Sequence, residues 1–488
     1  MAAQHPNSVT LESCIIRKFD NKAKVCKERE ITPDMVASFD FMESITSPFT
    51  SGQLLLSDSK DFMNELPIEG GEEVQISFKH TFDEDAIKYN LRVYKVAGRV
   101  LNGKKQVYSL MLVSEEAIIN ESVKIQEQLD GNPESLTIKL LREKLLSNKE
   151  VFSEPSRFLV RMLPSNMRPF DVIAKLIKKS VSSKTTYTGS RESGSPEKSE
   201  QQIKGSAGFF FWETRRGFNF FSVDALCDVS DDGTFIFKDK KTGNKEAKAR
   251  LQTQAWGPYK EVIGNIETVE DARFNISSFN FSGEIDIMSS LRLGKYSTKM
   301  VFFNHSTGAY EEYVYKLKES YDNMAHLGGQ ESVSLVPNNE KGELSDYPTR
   351  VMTMILDHES WFNEPGIANP EDPNATDPNK FADWQKYYTA QGIARAELLR
   401  NQEGEIKIPG NPLICAGDKI DIRIASKLAS ELRKTKPYDE ESSGVYLIKK
   451  VIHIFNFTDG NDGTCKTTLE LFRDSYGVKD LPSSHGDK

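Results

Sequence analysis

The chain has 488 residues and a formal net charge of −9, from 63 Lys and Arg against 72 Asp and Glu. At about 100–200 residues per domain, this length predicts roughly three domains. The acidic balance argues against a dedicated nucleic-acid binder, which needs clustered Lys and Arg, but not against a protein past which nucleic acid slides. The hydrophobic share of 38% is low for one large core, so we expect long loops or surfaces that partners complete.

The N-terminal residues lack an apolar run of signal-peptide length, and no stretch approaches the ~18 apolar residues that span a membrane. We therefore expect neither a secretory leader nor a membrane anchor. The cysteines are odd in number and widely spaced, which predicts reduced thiols rather than a disulfide framework. They stand at positions 14, 26, 227, 415 and 465.

Residues 1–114 are predicted to form a first β-barrel, because short apolar runs alternate with turn signals. The expected strands cover 14–16, 38–42, 53–56, 73–78, 91–96 and 107–113. Asn102-Gly103 between two of these runs is a hairpin signal. Residues 98–105 also come close to a phosphate-binding loop, but Lys105 stands where Ser or Thr should hold magnesium and no helix follows. The hairpin is the better interpretation.

Residues 115–270 are predicted to form a mixed helical and β domain. Helical spacing covers 115–128 and 133–148, and 169–179 has Pro early, Asp in its first turn and Lys at its end. The Ser-rich stretch 180–206 is expected to be an exposed, mobile loop.

The aromatic run 209–221 predicts two buried strands about a tight turn. Its charged residues Glu213, Arg215 and Arg216 are typical of a solvated turn, with a functional charged tip as the alternative. Residues 228–239 partly fit a calcium-binding loop, but the flanking residues resemble strands and favour a hairpin.

The remaining residues are predicted to form a second, discontinuous β-barrel. Its first part is expected at 271–320 and its second part at 391–475, followed by a C-terminal tail at 476–488. An irregular insertion at 321–390 separates the two parts, because prolines at 370, 373 and 378 exclude a regular element there. The fold class is therefore α+β, mainly β, with a mixed domain between two barrels.

An internal repeat supports the two-barrel interpretation. Residues 67–78 align without gaps with 413–424, and both share the pattern Gly, acid, x, β-branched, x, Ile, x, apolar. The glycines are expected to turn the chain, and the alternating apolar residues to fill one face of a sheet. The structural repeat positions are Gly71, Glu72, Val74, Ile76, Gly417, Asp418, Ile420 and Ile422.

Two flanking matches occur in the same order along the chain. Leu110 and Leu112 match Leu469 and Leu471, and residues 38–41 (SFDF) match 278–281 (SFNF). A glycine follows each aromatic pair, at Gly52 and Gly294, and both are expected to form turns. Two copies of one barrel explain these matches most simply.

No residue pattern predicts catalysis, cofactor binding or a metal site. The histidines lack the spacing of metal ligands, and there is no G-x-S-x-G motif. Adjacent acids on a strand point to opposite faces and do not form an acid–base pair. A non-enzymatic protein is expected, with a glycan hydrolase on a β scaffold as the weaker alternative.

The sequence also resembles a known family. Residues 51–60 (SGQLLLSDSK) and 70–77 (GGEEVQIS) resemble the N-terminal tube-type barrel of the baseplate hub protein of T-even-like contractile-tailed phages. The aromatic run 209–221 is similar to the family's central strand pair. Residues 407–420, 445–455 and 467–472 resemble the family's second barrel. The segments 180–206, 321–390 and 425–443 are longer than the family pattern.

The resemblance implies a homotrimer in which two tube-like barrels per chain form a six-fold-like ring. Such a ring adapts the tail tube protein to the tail spike protein and contacts the baseplate wedge proteins and the tape measure protein. DNA would pass through the ring without specific binding, and no cofactor is implied. The implied location is the virion tail baseplate, assembled in the cytoplasm of the bacterial host. The hub of a type VI or phage-tail-like injection device is the alternative.

Overall fold

The computed structural model describes residues 5–20, 25–80, 85–103, 105–156, 159–183, 206–228, 234–238, 246–250, 254–262, 266, 268–283, 286–304, 308, 310–321, 324–328, 343–356, 382–428, 436–459 and 462–477. The described chain is mainly β, with one large sheet, several small sheets and short helices. Parts of the expected segments lie outside the described residues, at 184–205, 229–233, 239, 366–379, 429–435 and 478–488.

Seven strands cover the N-terminal region, and each of the six strands expected there lies within one of them. They are β1 (Ser8–Asp20), β2 (Val25–Glu30), β3 (Val36–Ser44), β4 (Ser51–Asp58), β5 (Glu73–His80), β6 (Ile87–Asn102) and β7 (Lys105–Val113). Alternate residues of β4 are buried, as expected for a strand with one face on a core. A 3₁₀ turn (Pro33–Met35) joins β2 to β3, and helix α1 (Phe62–Glu65) joins β4 to β5.

The middle of the chain holds short helices and small sheets. Its helices are α2 (Glu115–Ser122), α3 (Pro133–Lys139), which continues as a π-helical turn (Leu140–Lys144), α4 (Pro169–Lys178), α5 (Val223–Cys227) and α6 (Val269–Arg273). Its strands are β8 (Leu129–Gly131), β9 (Val151–Ser153), β10 (Val160–Met162), β11 (Phe209–Thr214), β12 (Gly217–Ser222), β13 (Thr234–Lys238), β14 (Glu246–Arg250) and β15 (Ala255–Lys260).

The C-terminal part again contains long strands. They are β16 (Ser278–Gly283), β17 (Ser297–Asn304), β18 (Tyr310–Lys316), β19 (Arg350–Leu356), β20 (Gln402–Pro409), β21 (Lys419–Arg423), β22 (Gly444–Asp459) and β23 (Asp462–Arg473). The helices are α7 (Ile287–Leu293), α8 (Leu317–Tyr321) and α9 (Ala382–Leu398), with 3₁₀ turns at Leu344–Asp346 and Leu399–Asn401.

One set of hydrogen-bonded strands closes on itself and is called the first ring. Its antiparallel neighbours run β3–β4–β7–β6–β5–β1, and then β1 pairs with β23, β23 with β22, and β22 with β3. The strands β1 to β7 therefore need a hairpin from the far end of the sequence to complete their ring.

A second set, called the second ring, is built around the same hairpin. Its neighbours run β21–β22–β23–β20–β16 in antiparallel order, and β15 lies parallel to β21. A bridge between Lys260, the last residue of β15, and Asn275 connects β15 to the chain entering β16.

The β22–β23 hairpin is thus shared by two hydrophobic cores. Its tip places Phe455, Phe457 and Cys465 in the core of the first ring. Its base places Leu469 and Leu471 in the core of the second ring.

The expected extent of the second barrel needs a correction. Within 271–320 only β16 lies in the large sheet, because β17 and β18 form a separate sheet with β19. Nor is 321–390 wholly irregular, since it contains β19 and the start of α9. Strand periodicity identifies buried faces but does not say which strand a given strand will pair with.

Candidate functional site

The predicted repeat glycines occupy matching places at the starts of two strands. Gly71 precedes β5 with φ 88°, and Gly417 precedes β21 with φ 90°. Residues with a side chain rarely adopt this left-handed backbone conformation, so both turns favour glycine. The two sites differ in space, because a Cβ on Gly417 would lie 2.6 Å from Trp212, whereas a Cβ on Gly71 would meet nothing within 4 Å.

The acids that follow the glycines also behave alike. Glu72 and Asp418 are buried, and each accepts a hydrogen bond from the backbone N–H three residues earlier. The donors are Glu69 N at 2.8 Å and Cys415 N at 3.0 Å. Each carboxylate therefore holds the turn that its glycine makes.

Backbone hydrogen bonds extend this match to the next strand. Gly71 N donates to Val93 O at 2.7 Å, and Val93 N donates to Glu72 O at 2.9 Å. Gly417 N donates to Ile448 O at 2.9 Å, and Ile448 N donates to Asp418 O at 2.8 Å. Val93 on β6 and Ile448 on β22 thus occupy the same place beside the two turns.

The same register continues into the hairpins. Val93 lies opposite Leu112 and Ile448 lies opposite Leu471, and the ladder has a β-bulge directly after each pair. Bulges break a ladder at defined positions, so a shared bulge is a specific point of agreement.

The remaining repeat positions are inward-facing core residues. Val74 and Ile76 are buried in the first ring, and Ile420 and Ile422 are buried in the second. Their two-residue spacing keeps each pair on one face of its strand.

The aromatic match holds, but its predicted glycine partner is wrong. Phe41 lies opposite Gly52, and Phe281 lies opposite Gly404 rather than near Gly294. A Cβ on Gly52 would meet the Asp40 carbonyl oxygen, the Phe39 ring and Leu91. A Cβ on Gly404 would meet the carbonyl oxygen and the ring at the matching positions, Asn280 and Phe279. Gly52 lies inside β4, so it is not a turn former.

Gly294 does turn the chain, as expected, but at another place in the fold. It caps the C-terminus of α7 with φ 78°. The sequence match failed because Gly52 follows Phe41 by 11 residues, whereas Gly404 follows Phe281 by 123.

The charged turn between β11 and β12 is not the solvated turn that the sequence predicts, because Glu213 is buried and Arg215 and Arg216 are half-buried. Arg216 donates to both oxygens of Asp418, at 2.8 and 2.9 Å, and to Leu413 O at 2.8 Å. Trp256 Nε1 also donates to Asp418, at 2.8 Å. Asp418, the repeat acid of the second ring, therefore binds both the β11–β12 turn and β15.

Glu43, at the end of β3, connects this turn to the first ring. Its carboxylate accepts from Arg215 N and, at 3.0 Å, from Ala416 N. Burial raises the pKa of Glu43 to about 7, although these N–H groups and the Arg215 and Arg216 charges oppose the shift. The partners lie 172 and 373 residues away in sequence, so local sequence patterns could not reveal this contact.

A second buried ionic cluster was not predicted. Arg395 on α9 donates to Asp224 Oδ1 at 2.8 Å and to Asp474 Oδ2 at 2.9 Å, and all three side chains are fully buried. His326 contacts Asp474 at 2.9 Å. Burial would raise the pKa of Asp474, but Arg395 and His326 outweigh it and hold that pKa well below its usual range. The cluster fastens α9 to the end of β23.

The histidine in the shared hairpin is a core residue. His453 contacts Thr467 Oγ1 and Ile414 O, each at 3.1 Å, and burial lowers its pKa to about 4. Within the described part of the chain, no group of three or more His, Cys, Asp or Glu could hold a metal ion. Four of the five cysteines are buried, and Cys26 is exposed.

Among the described residues no helix is both long and apolar enough to cross a membrane.

Comparisons with known proteins give structural likenesses only. No protein-family model and no curated protein matches the chain. Solved structures that resemble it include the tail protein from Neisseria meningitidis MC58, with a TM-score of 0.45 and 11% identity over 94% of this chain and 97% of that one. The 43 kDa tail protein of prophage MuSo2 from Shewanella oneidensis has a TM-score of 0.45 and 8% identity, over 95% and 98%.

A third likeness is to the E. coli c3393 protein, described as a component of the type VI secretion system with structural similarity to the T4 bacteriophage tail proteins gp27 and gp5. Its TM-score is 0.38 and its identity 10%, over 92% of this chain and 77% of that one. All three TM-scores lie below 0.5, so the function has to be inferred from the residues of this chain.

Proposed function

We propose that this protein is a structural component of a contractile phage tail baseplate, a trimeric hub that adapts the hexameric tail tube to the trimeric spike. The observation that carries the proposal is the repeated register of the two rings, from Gly71 and Gly417 to the matching bulges on β6 and β22. The likenesses above add no weight to it.

The repeated register supports an internal duplication. We take the two rings as tube-like barrels, the first built on residues 8–113 and the second on β15, β16 and β20 to β23, with the β22–β23 hairpin shared. Three such chains would present six similar barrels, which matches a six-fold tube on one side and a three-fold spike on the other.

The charge balance suits a channel wall. A net charge of −9 suits a channel through which DNA, a polyanion, passes. DNA would therefore move through without specific binding. Besides the tube and spike proteins, the wedge proteins and the tape measure protein are the proposed partners, in the baseplate of a virion assembled in the host cytoplasm.

A non-catalytic role is consistent with how the buried charges are used. The buried and half-buried charges form contacts between elements that are distant in sequence. Arg216 pairs with Asp418, Arg395 pairs with Asp224, and Glu43 accepts from Ala416 N, so these groups hold the fold together. Charges used in this way support a structural role for the proposed hub.

The proposal is tested by locating the protein in an assembled particle. Electron microscopy of particles from the source organism, with the chain labelled, should place it at the tube–spike junction, and native mass spectrometry should give three copies per hub. A stable monomer that cleaves peptidoglycan would contradict the proposal. A location in a contractile device without a capsid would instead support the injection-device alternative.

A further inference from the structure

The two long hairpins match in register but differ in what lies beside their tips. On β6–β7, Leu101 lies opposite Gln106, and on β22–β23, Phe455 lies opposite Cys465. Gln106 precedes the matched Leu112 by six residues, and Cys465 precedes the matched Leu471 by six residues, so the two pairs occupy equivalent positions. Leu101 therefore holds the position on its hairpin that Phe455 holds on the other.

The tip of β22–β23 is paired on its outer edge. Residues 450–456 of β22 pair antiparallel with 38–44 of β3, and Phe455 lies opposite Phe39. Phe455 is 0% exposed as a result. This hairpin completes the neighbouring ring.

The tip of β6–β7 has no such neighbour among the described residues. Beyond Val93, the described ladder partners of β6 all belong to β7. Leu101 is 72% exposed and Val100 is 59% exposed. An open strand edge with exposed apolar side chains beside it is a surface for pairing with another strand.

A matching acceptor edge lies on β16. This strand corresponds to β3, but in the described chain its ladder is with β20 alone, and a single bridge at Asn275 precedes it. Phe39 and Phe41 on β3, which pairs with β22, are buried, whereas Phe279 and Phe281 are only half-buried. The second ring thus lacks the strand that covers these positions in the first ring.

We propose that the tip of the β6–β7 hairpin of one chain pairs antiparallel with the β16 edge of a second copy. The register used inside the chain places Leu101 against the partner subunit's Phe279. The contact is head-to-tail, since donor and acceptor are different surfaces, and repetition around a ring uses every edge. It rests on the proposed multichain hub and names the surfaces that join its subunits.

Disulfide trapping tests the pairing directly. In a Cys26→Ser background, chains carrying Leu101→Cys are mixed with chains of different mass carrying Phe279→Cys and are oxidised. A mixed-mass disulfide dimer should form at least tenfold faster than in a control in which Leu163→Cys takes the place of Leu101→Cys. Leu163 lies away from the hairpin and is 66% exposed. Equal rates for the two pairs would overturn the pairing.

A charge at the donor tip gives an independent readout. Leu101→Asp should raise the concentration for half-assembly at least tenfold in sedimentation experiments, while Leu163→Asp should leave it unchanged. If trimers persist in Leu101→Asp and no trapping occurs, the pairing is wrong and the proposed hub survives. A wild-type chain that stays monomeric, together with no trapping between the cysteine variants, also refutes the pairing. The location in the particle decides the proposed function separately.

Discussion

At the residue scale, two glycines with the same backbone conformation face different surroundings. Gly71 and Gly417 have φ near 90°, so alanine at either place costs about 1–2 kcal/mol of backbone strain. At Gly417 the added Cβ also meets the buried Trp212 ring. We expect Gly417→Ala to lower the free energy of unfolding by about 3 kcal/mol or more, and Gly71→Ala by only about 1 kcal/mol. Denaturant titration measures both, and equal losses would contradict the packing argument.

Glu43 makes the stability of the protein depend on pH. Its pKa is about 7 in the folded chain against 4.5 as the ordinary value, so the folded state holds a proton that the unfolded state releases. This stabilisation is fully present below pH 4.5 and is lost as pH rises through 7. We expect Glu43→Gln to remove a slope of about 1.4 kcal/mol per pH unit between pH 5 and 7.

The measurement is the free energy of unfolding at several pH values. Glu405→Gln, which changes an acid on β20 whose side chain is 45% exposed, serves as the control and should keep the wild-type slope. An unchanged slope in Glu43→Gln would show that Glu43 does not titrate in this range.

At the element scale, the β22–β23 hairpin supports a ring to which it is remote in sequence. Phe455→Ala opens a cavity in the first ring and should cost about 3–5 kcal/mol of unfolding free energy. Leu101→Ala at the matching position of β6–β7 should change it by less than about 0.5 kcal/mol in dilute solution. Chemical denaturation of both variants checks this, and similar losses would mean that the β6 tip is already covered.

The strands of the first ring could be predicted from the sequence, whereas their closure could not. Alternating apolar residues fix which face of β4 or β5 is buried, because the side-chain period of a strand is two. Nothing in that period indicates that β22 pairs with β3 across about 400 residues. The Gly71 and Gly417 turns were predictable because their signal is local.

The buried charges show the same limit. Arg215 and Arg216 lie in a tight turn, a place where charges are typically solvated, and only tertiary packing brings Glu43 and Asp418 to them. Gly404 was missed because β17 to β19 and α9 intervene between it and its aromatic partner Phe281.

At the scale of the whole molecule, a shared hairpin should make the two rings unfold together. All four tryptophans lie outside residues 1–114, at 212, 256, 361 and 384. We expect Leu54→Ala, deep in the first ring, to shift the tryptophan fluorescence transition and the circular dichroism transition by the same amount. Two separate transitions, with fluorescence unmoved, would show independent domains.

The shared hairpin also sets an order of events during synthesis. Ribosomes deliver β1 to β7 first, but Gly444, the start of β22, emerges 331 residues after Val113 ends β7. Until then β1 and β3 face solvent with open edges, which are templates for intermolecular pairing. A nascent chain therefore carries an incomplete N-terminal ring through most of translation. We expect chaperones to bind it mainly during that interval.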